Sequence, residues 1–194
     1  MLKSSFIACL LMASIPCLAS STLSIPYIET PANIDGLLDE PHWQLAKKIT
    51  VDNITWPYEN QPSPEKTNVY VYENGEMLYV AFEAFDSEPE NIRAFYRDRD
   101  KAWDDDLIGL KIDSFNNQKL AYQFFINPLG VQMDSIENEL TKEESDAWDG
   151  IWESASQIND KGYIVEVALP FRMLNFDDSV STKTMAMEFL RFLP

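Results

Sequence analysis

From about residue 67 onward, apolar side chains recur at every second position, which is the period of a half-buried strand. Val69-Tyr70-Val71-Tyr72 forms one such run. Between Met77 and Phe85, Leu78, Val80, Phe82 and Ala84 share a face, with Tyr79, Ala81, Glu83 and Phe85 on the other. The segment from Leu107 places Ile108, Leu110 and Ile112 together. The next sets Leu120, Tyr122, Phe124 and Ile126 against Ala121, Gln123, Phe125 and Asn127. Turn residues separate the runs: Asn74-Gly75, Pro128-Leu129-Gly130 and Asn159-Asp160-Lys161-Gly162. Asn-Gly between apolar runs is a strong hairpin signal. Further strands are predicted over Val131–Asp134, Trp152–Ile158, Tyr163–Leu169 and Met185–Phe192, and the polar stretch Glu137–Asp149 as an exposed loop.

Helical patterning is sparse. Asp39 can cap a helix that carries an early Pro41 and runs to Lys48, and Pro170–Leu174 suits a single turn. Short strands punctuated by Gly, Pro and Asn, with one or two short helices, predict an all-β chain. The expected architecture is an antiparallel β-sandwich of jelly-roll or immunoglobulin-like type.

The N-terminus changes the count of usable residues. Lys3, the apolar run Phe6–Ile15 and the small Ala19 have the layout of a secretory signal peptide spanning residues 1–19. Cys9 and Cys17 both fall inside it, so the mature chain has no thiol for a disulfide, a metal or a nucleophile. Residues 20–194 suit one domain with its own core. The expectation is an exported protein of the periplasm, outer membrane or cell exterior. The apolar strand that runs almost to Pro194 reads as part of a longer chain.

With 32 acidic and 15 basic residues, the formal net charge is −17. Nucleic-acid binding is driven by cationic side chains that neutralise phosphates, so that partner is excluded. Catalytic constellations are equally scarce: His42 is the single histidine, and no phosphate loop or zinc-protease motif is present. A non-enzymatic domain is expected.

Two kinds of candidate chemistry remain. The segment Ala102-Trp103-Asp104-Asp105-Asp106 places three consecutive carboxylates beside a tryptophan, and Asp134 adds another. Calcium takes six to eight oxygen ligands, several of them carboxylates. These aspartates therefore either hold calcium or tie down a loop through Arg97 and Arg99. The second is aromatic. Trp43 and Trp152 lie in apolar runs and read as core, whereas Trp56, Trp103 and Trp148 sit in polar or proline-flanked stretches. Flat indole faces suit stacking on a sugar ring, and for Trp103 and Trp148 ligand contact and packing both stay open. Gln123, Asn127 and Gln132, polar and near the Gly130 turn, are candidate hydroxyl contacts.

Ile34-Asp35-Gly36-Leu37-Leu38-Asp39-Glu40 ahead of Trp43, the strand Asp105–Asp113, the turn Asn127–Asp134 and the strand Gly162–Phe171 together resemble family 9 carbohydrate-binding modules. The resemblance implies a calcium-supported β-sandwich that holds an oligo- or polysaccharide between two tryptophans, here Trp103 and Trp148. Gly109 stands where the family strand carries a glutamate. The Asn127–Asp134 turn is also similar to that of large exported bacterial proteins in which such a domain precedes an outer-membrane β-barrel. A role in carbohydrate uptake or catabolism would follow. The alternative is an interaction domain of such a barrel protein, without a sugar site.

Overall fold

The computed structural model describes residues 22–57, 59–177 and 179–194; the signal-peptide segment 1–19 lies outside the described residues. Among the described residues, ten strands form two antiparallel sheets. The first contains β1 (Lys47–Ile54), β2 (Gln61–Glu73), β3 (Met77–Phe85), β9 (Gly162–Pro170) and β8 (Glu153–Asn159), in the order β1-β2-β3-β9-β8. The second contains β10 (Ala186–Phe192), β4 (Leu107–Asp113), β5 (Leu120–Ile126), β6 (Gln132–Asn138) and β7 (Glu143–Ser145), in the order β10-β4-β5-β6-β7.

The period-two faces read from the sequence meet between the sheets. Val69, Val71, Leu78, Val80, Phe82, Val165 and Val167 come from the first sheet; Ile108, Leu110, Ile112, Phe124 and Ile126 come from the second. All are essentially inaccessible. With no cysteine among the described residues, removal of this apolar surface from water is the main stabilising term. The Asn74-Gly75 hairpin forms as expected: Gly75 takes φ +89°, and Asn74 Oδ1 accepts the Met77 amide at 2.9 Å.

The predicted helix from Asp39 to Lys48 is replaced by a 3-10 turn at Pro41–Leu45, and Lys47 already opens β1. Ala46 is extended, and beyond it Ile49 and Val51 turn toward the core, so β-branched residues at period two override the N-terminal helix signals. The second short turn, Phe171–Met173, is also 3-10. The stretch expected as one loop contains the end of β6 and the short edge strand β7.

The outer face of the first sheet is covered. Ile28, Ala32, Ile34 and Leu38 from the N-terminal segment pack with Trp43 over Tyr72, Tyr79, Ala81 and Ala168. Glu166, buried on that face, fastens the cover: its carboxylate accepts the amides of Asp35 (3.0 Å) and Gly36 (2.8 Å) and the Trp43 indole N–H (2.9 Å).

Candidate functional site

The outer face of the second sheet carries two parallel rows set by strand register. Leu190, Gly109, Phe125 and Met133 lie side by side on β10, β4, β5 and β6. Two residues along, Glu188, Lys111, Gln123 and Ser135 form the next row. The first row is apolar and the second polar, roughly 7 Å apart along the strands.

Phe125 organises the apolar row. Its ring lies across Gly109, where an added Cβ would come within 2.6 Å of two ring carbons. The glycine therefore makes room for a phenyl ring exactly where a longer side chain at 109 would otherwise stand on this face. Trp103 packs edge-on against Phe125 with ring centroids 5.1 Å apart and keeps 49 % of its surface exposed. Ala102, Leu107, Val131 and Met133 complete the apolar base.

The three consecutive aspartates go separate ways. Asp104 is exposed. The Asp105 side chain is fully buried; it accepts the Phe95 amide at 3.0 Å and the Asn127 side-chain amide at 2.9 Å, and faces Arg97 at 3.5 Å. Asp106 accepts the Arg93 amide at 2.8 Å, and burial pushes its carboxyl above the usual range. Asp105 and Asp106 thus pin the 93–97 segment beside the loop that presents Trp103.

The polar candidates are engaged inside the protein. Asn127 is wholly buried, donates to Phe95 O and Asp105, and accepts the amides of Leu129 and Val131. Gln123 donates to Glu137 at 2.7 Å and accepts from the Ser135 hydroxyl at 2.7 Å. Gln132 lies on the opposite face of its sheet, accepts from Arg99 at 2.7 Å and donates to the Ser154 hydroxyl at 2.9 Å. Nothing in the sequence marked Lys111, which joins Glu137 at 2.6 Å and Glu139 at 2.7 Å beside the polar row. Burial alone would lower the Lys111 ammonium, but hydrogen bonds to Glu137 and Glu139 prevail and raise it.

The fold does not build the expected tryptophan clamp. Trp148 packs on Tyr122 and Phe124, at 5.1 and 5.9 Å between ring centroids, on the inner side of the second sheet. Phe124 and Phe125 are successive residues of one strand and point to opposite faces. The sheet therefore separates Trp148 from Trp103.

Nor do the predicted calcium ligands converge. Asp105 and Asp106 direct carboxylate oxygens at backbone amides, and Asp134 lies on the inner side of β6. Asp134 accepts the Gly150 amide at 2.6 Å and the Trp152 indole N–H at 3.1 Å, and pairs with Arg99 at 2.7 Å. Among the described residues, the carboxylates that gather three together are Asp100, Asp134 and Asp149, with ligand atoms within 4.8 Å. The set Asp104, Asp105, Asp106 and Asp134 does not fit a calcium cage.

Against this geometry the similarities to known proteins can be read. The profile of the family described as "Carbohydrate family 9 binding domain-like" matches residues 34–192. A Bacteroides uniformis ATCC 8492 protein, assigned to carbohydrate binding by inference, superposes with a TM-score of 0.65 at 15% identity, covering 87% of this chain and 82% of its own. A family 9 module from Caldicellulosiruptor kristjanssonii in complex with cellotriose gives a TM-score of 0.56 at 15% identity over 85% of this chain and 73% of its own. A module of the same family and organism in complex with glucose gives 0.52 at 14% identity over 85% and 74%. No curated relative matches the sequence. At these identities the structures establish the shared β-sandwich, and the profile match, spanning all ten strands, establishes that the chain belongs to the carbohydrate family 9 binding domain-like family.

Proposed function

We propose that this domain binds carbohydrate without catalysis, on the outer face of its second sheet, with Trp103 as the stacking surface. The observation that carries this reading is a half-exposed indole on a rigid phenyl base, beside a polar row. An apolar platform flanked by polar groups is the arrangement that recognises a pyranose, whose C–H face stacks while its rim hydrogen-bonds. Glu188, exposed at the end of that row, and the Lys111 network are the groups placed to meet hydroxyls. The family profile and the two modules solved with cellotriose and glucose support the ligand class. The leader-like N-terminus supports an exported protein serving carbohydrate uptake or catabolism at the cell envelope.

A tryptophan-fluorescence titration with gluco- and xylo-oligosaccharides tests this. A saturable change that disappears in Trp103→Ala, with the circular dichroism spectrum intact, is expected. Binding that survives Trp103→Ala unchanged would overturn the assignment of the face.

One observation favours a second reading: Trp103 and Trp148 occupy separate packing clusters, and Gln123, Asn127 and Gln132 all engage partners within the protein. On that reading the domain is an interaction module ahead of an outer-membrane barrel. A folded protein that responds to no sugar in the panel would favour it.

A further inference from the structure

Independent of any sugar site, one corner of the molecule gathers oxygens around a side chain. Arg99 donates to Gln132 Oε1 at 2.7 Å, to Asp134 Oδ1 at 2.7 Å and to the Gly150 carbonyl at 3.2 Å. Its Nε lies 3.6 Å from Asp149 and 3.9 Å from Asp100. Five oxygens from three stretches of chain thus face one guanidinium, which also lies over the Trp152 ring at 5.9 Å.

The corner joins the turn before Trp103 to the body. Asp100 donates its amide to Gln132 O at 3.1 Å and accepts the Asp134 amide at 3.0 Å. The other two oxygens on the guanidinium, from Asp149 and Gly150, belong to the turn that enters β8.

Such a set of hard oxygens, with three carboxylates among them and that of Asp134 buried, is the kind calcium takes. Ion and guanidinium need the same oxygens of Asp134, Gln132 and Gly150, so the two exclude one another. Guanidinium satisfies a fan of planar acceptors through several directed donors, whereas an ion would need all of them drawn to a closer shell.

We infer that Arg99 is the resident cation of this corner, taking the place of a divalent ion, so that the loop bearing Trp103 is fixed without metal. The carboxylates need a positive partner because Asp134 is fully buried and cannot be left uncompensated. Removing the guanidinium should therefore expose a latent divalent-cation site.

The test compares wild type with Arg99→Ala by thermal melting in EGTA and in millimolar calcium, and by terbium luminescence sensitised through Trp152. Wild type is expected to melt at the same temperature in both buffers and to show no stoichiometric terbium signal that calcium displaces. Arg99→Ala is expected to melt about 10 °C lower in EGTA, to recover part of that loss in calcium, and to bind one calcium-displaceable terbium. Asp149→Asn added to Arg99→Ala should abolish that signal. A wild-type protein that binds one displaceable terbium, or an Arg99→Ala protein that melts like wild type in EGTA, overturns the inference. Should Arg99→Ala fail to fold in either buffer, the wild-type titration decides by itself.

Discussion

The two outer faces of this sandwich carry the same aromatic device put to different ends. On the first sheet Trp43 meets Tyr72 at 5.1 Å and 73°; on the second, Trp103 meets Phe125 at 5.1 Å and 65°. Trp43 is 3% exposed and its indole N–H is bonded to Glu166, beneath an N-terminal cover. Trp103 is 49% exposed, and none of the described residues closes over it as the N-terminal segment does over Trp43. The edge-on contact alone therefore says nothing about function. What separates a packing tryptophan from a presenting one is whether another segment closes over the ring and occupies its N–H.

The largest effect that would sharpen this contrast is expected at Trp43. Trp43→Ala removes a buried indole and the N–H that Glu166 accepts, and should cost about 3–5 kcal/mol in urea unfolding. A loss as small as that of a surface substitution would mean the cover is not part of the cooperative unit.

Next comes the pH dependence of the same cover. Burial, acting against the hydrogen bonds from Gly36 and Asp35, pushes Glu166 up to about 7 from its ordinary 4.5. Between those values the folded chain holds a proton that the unfolded chain has released. The Glu166 contribution is thus fully present below pH 4.5 and is lost as pH rises through about 7. The loss is on the order of 3 kcal/mol at most, at about 1.4 kcal/mol per pH unit. Stability measured from pH 4 to 8 should fall in that window more steeply for wild type than for Glu166→Gln; identical slopes would contradict it.

At Gly109 the expectation is smaller. Gly109→Ala places a methyl group against the Phe125 ring and should cost about 1–3 kcal/mol, with altered fluorescence from Trp103 as the ring beneath it tilts. Trp103→Ala comes last in stability, at under about 1 kcal/mol by urea unfolding, because half of the ring is already in water. Its consequence should appear in sugar binding instead. A large stability loss there would make Trp103 a second Trp43.

Much of the sandwich was legible because strand alternation is a local signal: Leu78 to Ala84 and Ile108 to Ile112 face the core as their spacing requires. The site was less legible because its partners are distant in the chain. Asp105 stands next to Asp104 and Asp106 in sequence, and besides the anticipated Arg97 its partners are the Phe95 amide and Asn127. Asn127 looked available for a hydroxyl because it is polar and near the Gly130 turn; its side-chain carbonyl instead accepts the Val131 amide and closes that turn. The expected pairing of Trp103 with Trp148 failed for a similar reason, since loop composition does not reveal which side of a sheet a loop returns to. Arg99 was visible as a counter-ion for nearby aspartates, but its bonds to Gln132 and Asp134 depend on the register of β6, and that to Gly150 on where the segment entering β8 returns. Phe125 could have been found: an aromatic on the polar side of β5, paired across the sheet with a glycine, marks a ring laid over a neighbouring strand.

The interlock of Gly109 and Phe125 also bears on how this surface can change over generations or in the laboratory. The two positions are coupled, since the Phe125 ring keeps its place only while residue 109 lacks a side chain. A glutamate at 109 enters only if the Phe125 ring moves aside, and a smaller residue at 125 alone leaves the indole of Trp103 without its base. If the proposed sugar face is correct, its ligand preference should shift by paired replacement, through Gly109→Glu together with Phe125→Ser, in one jump rather than along a graded series.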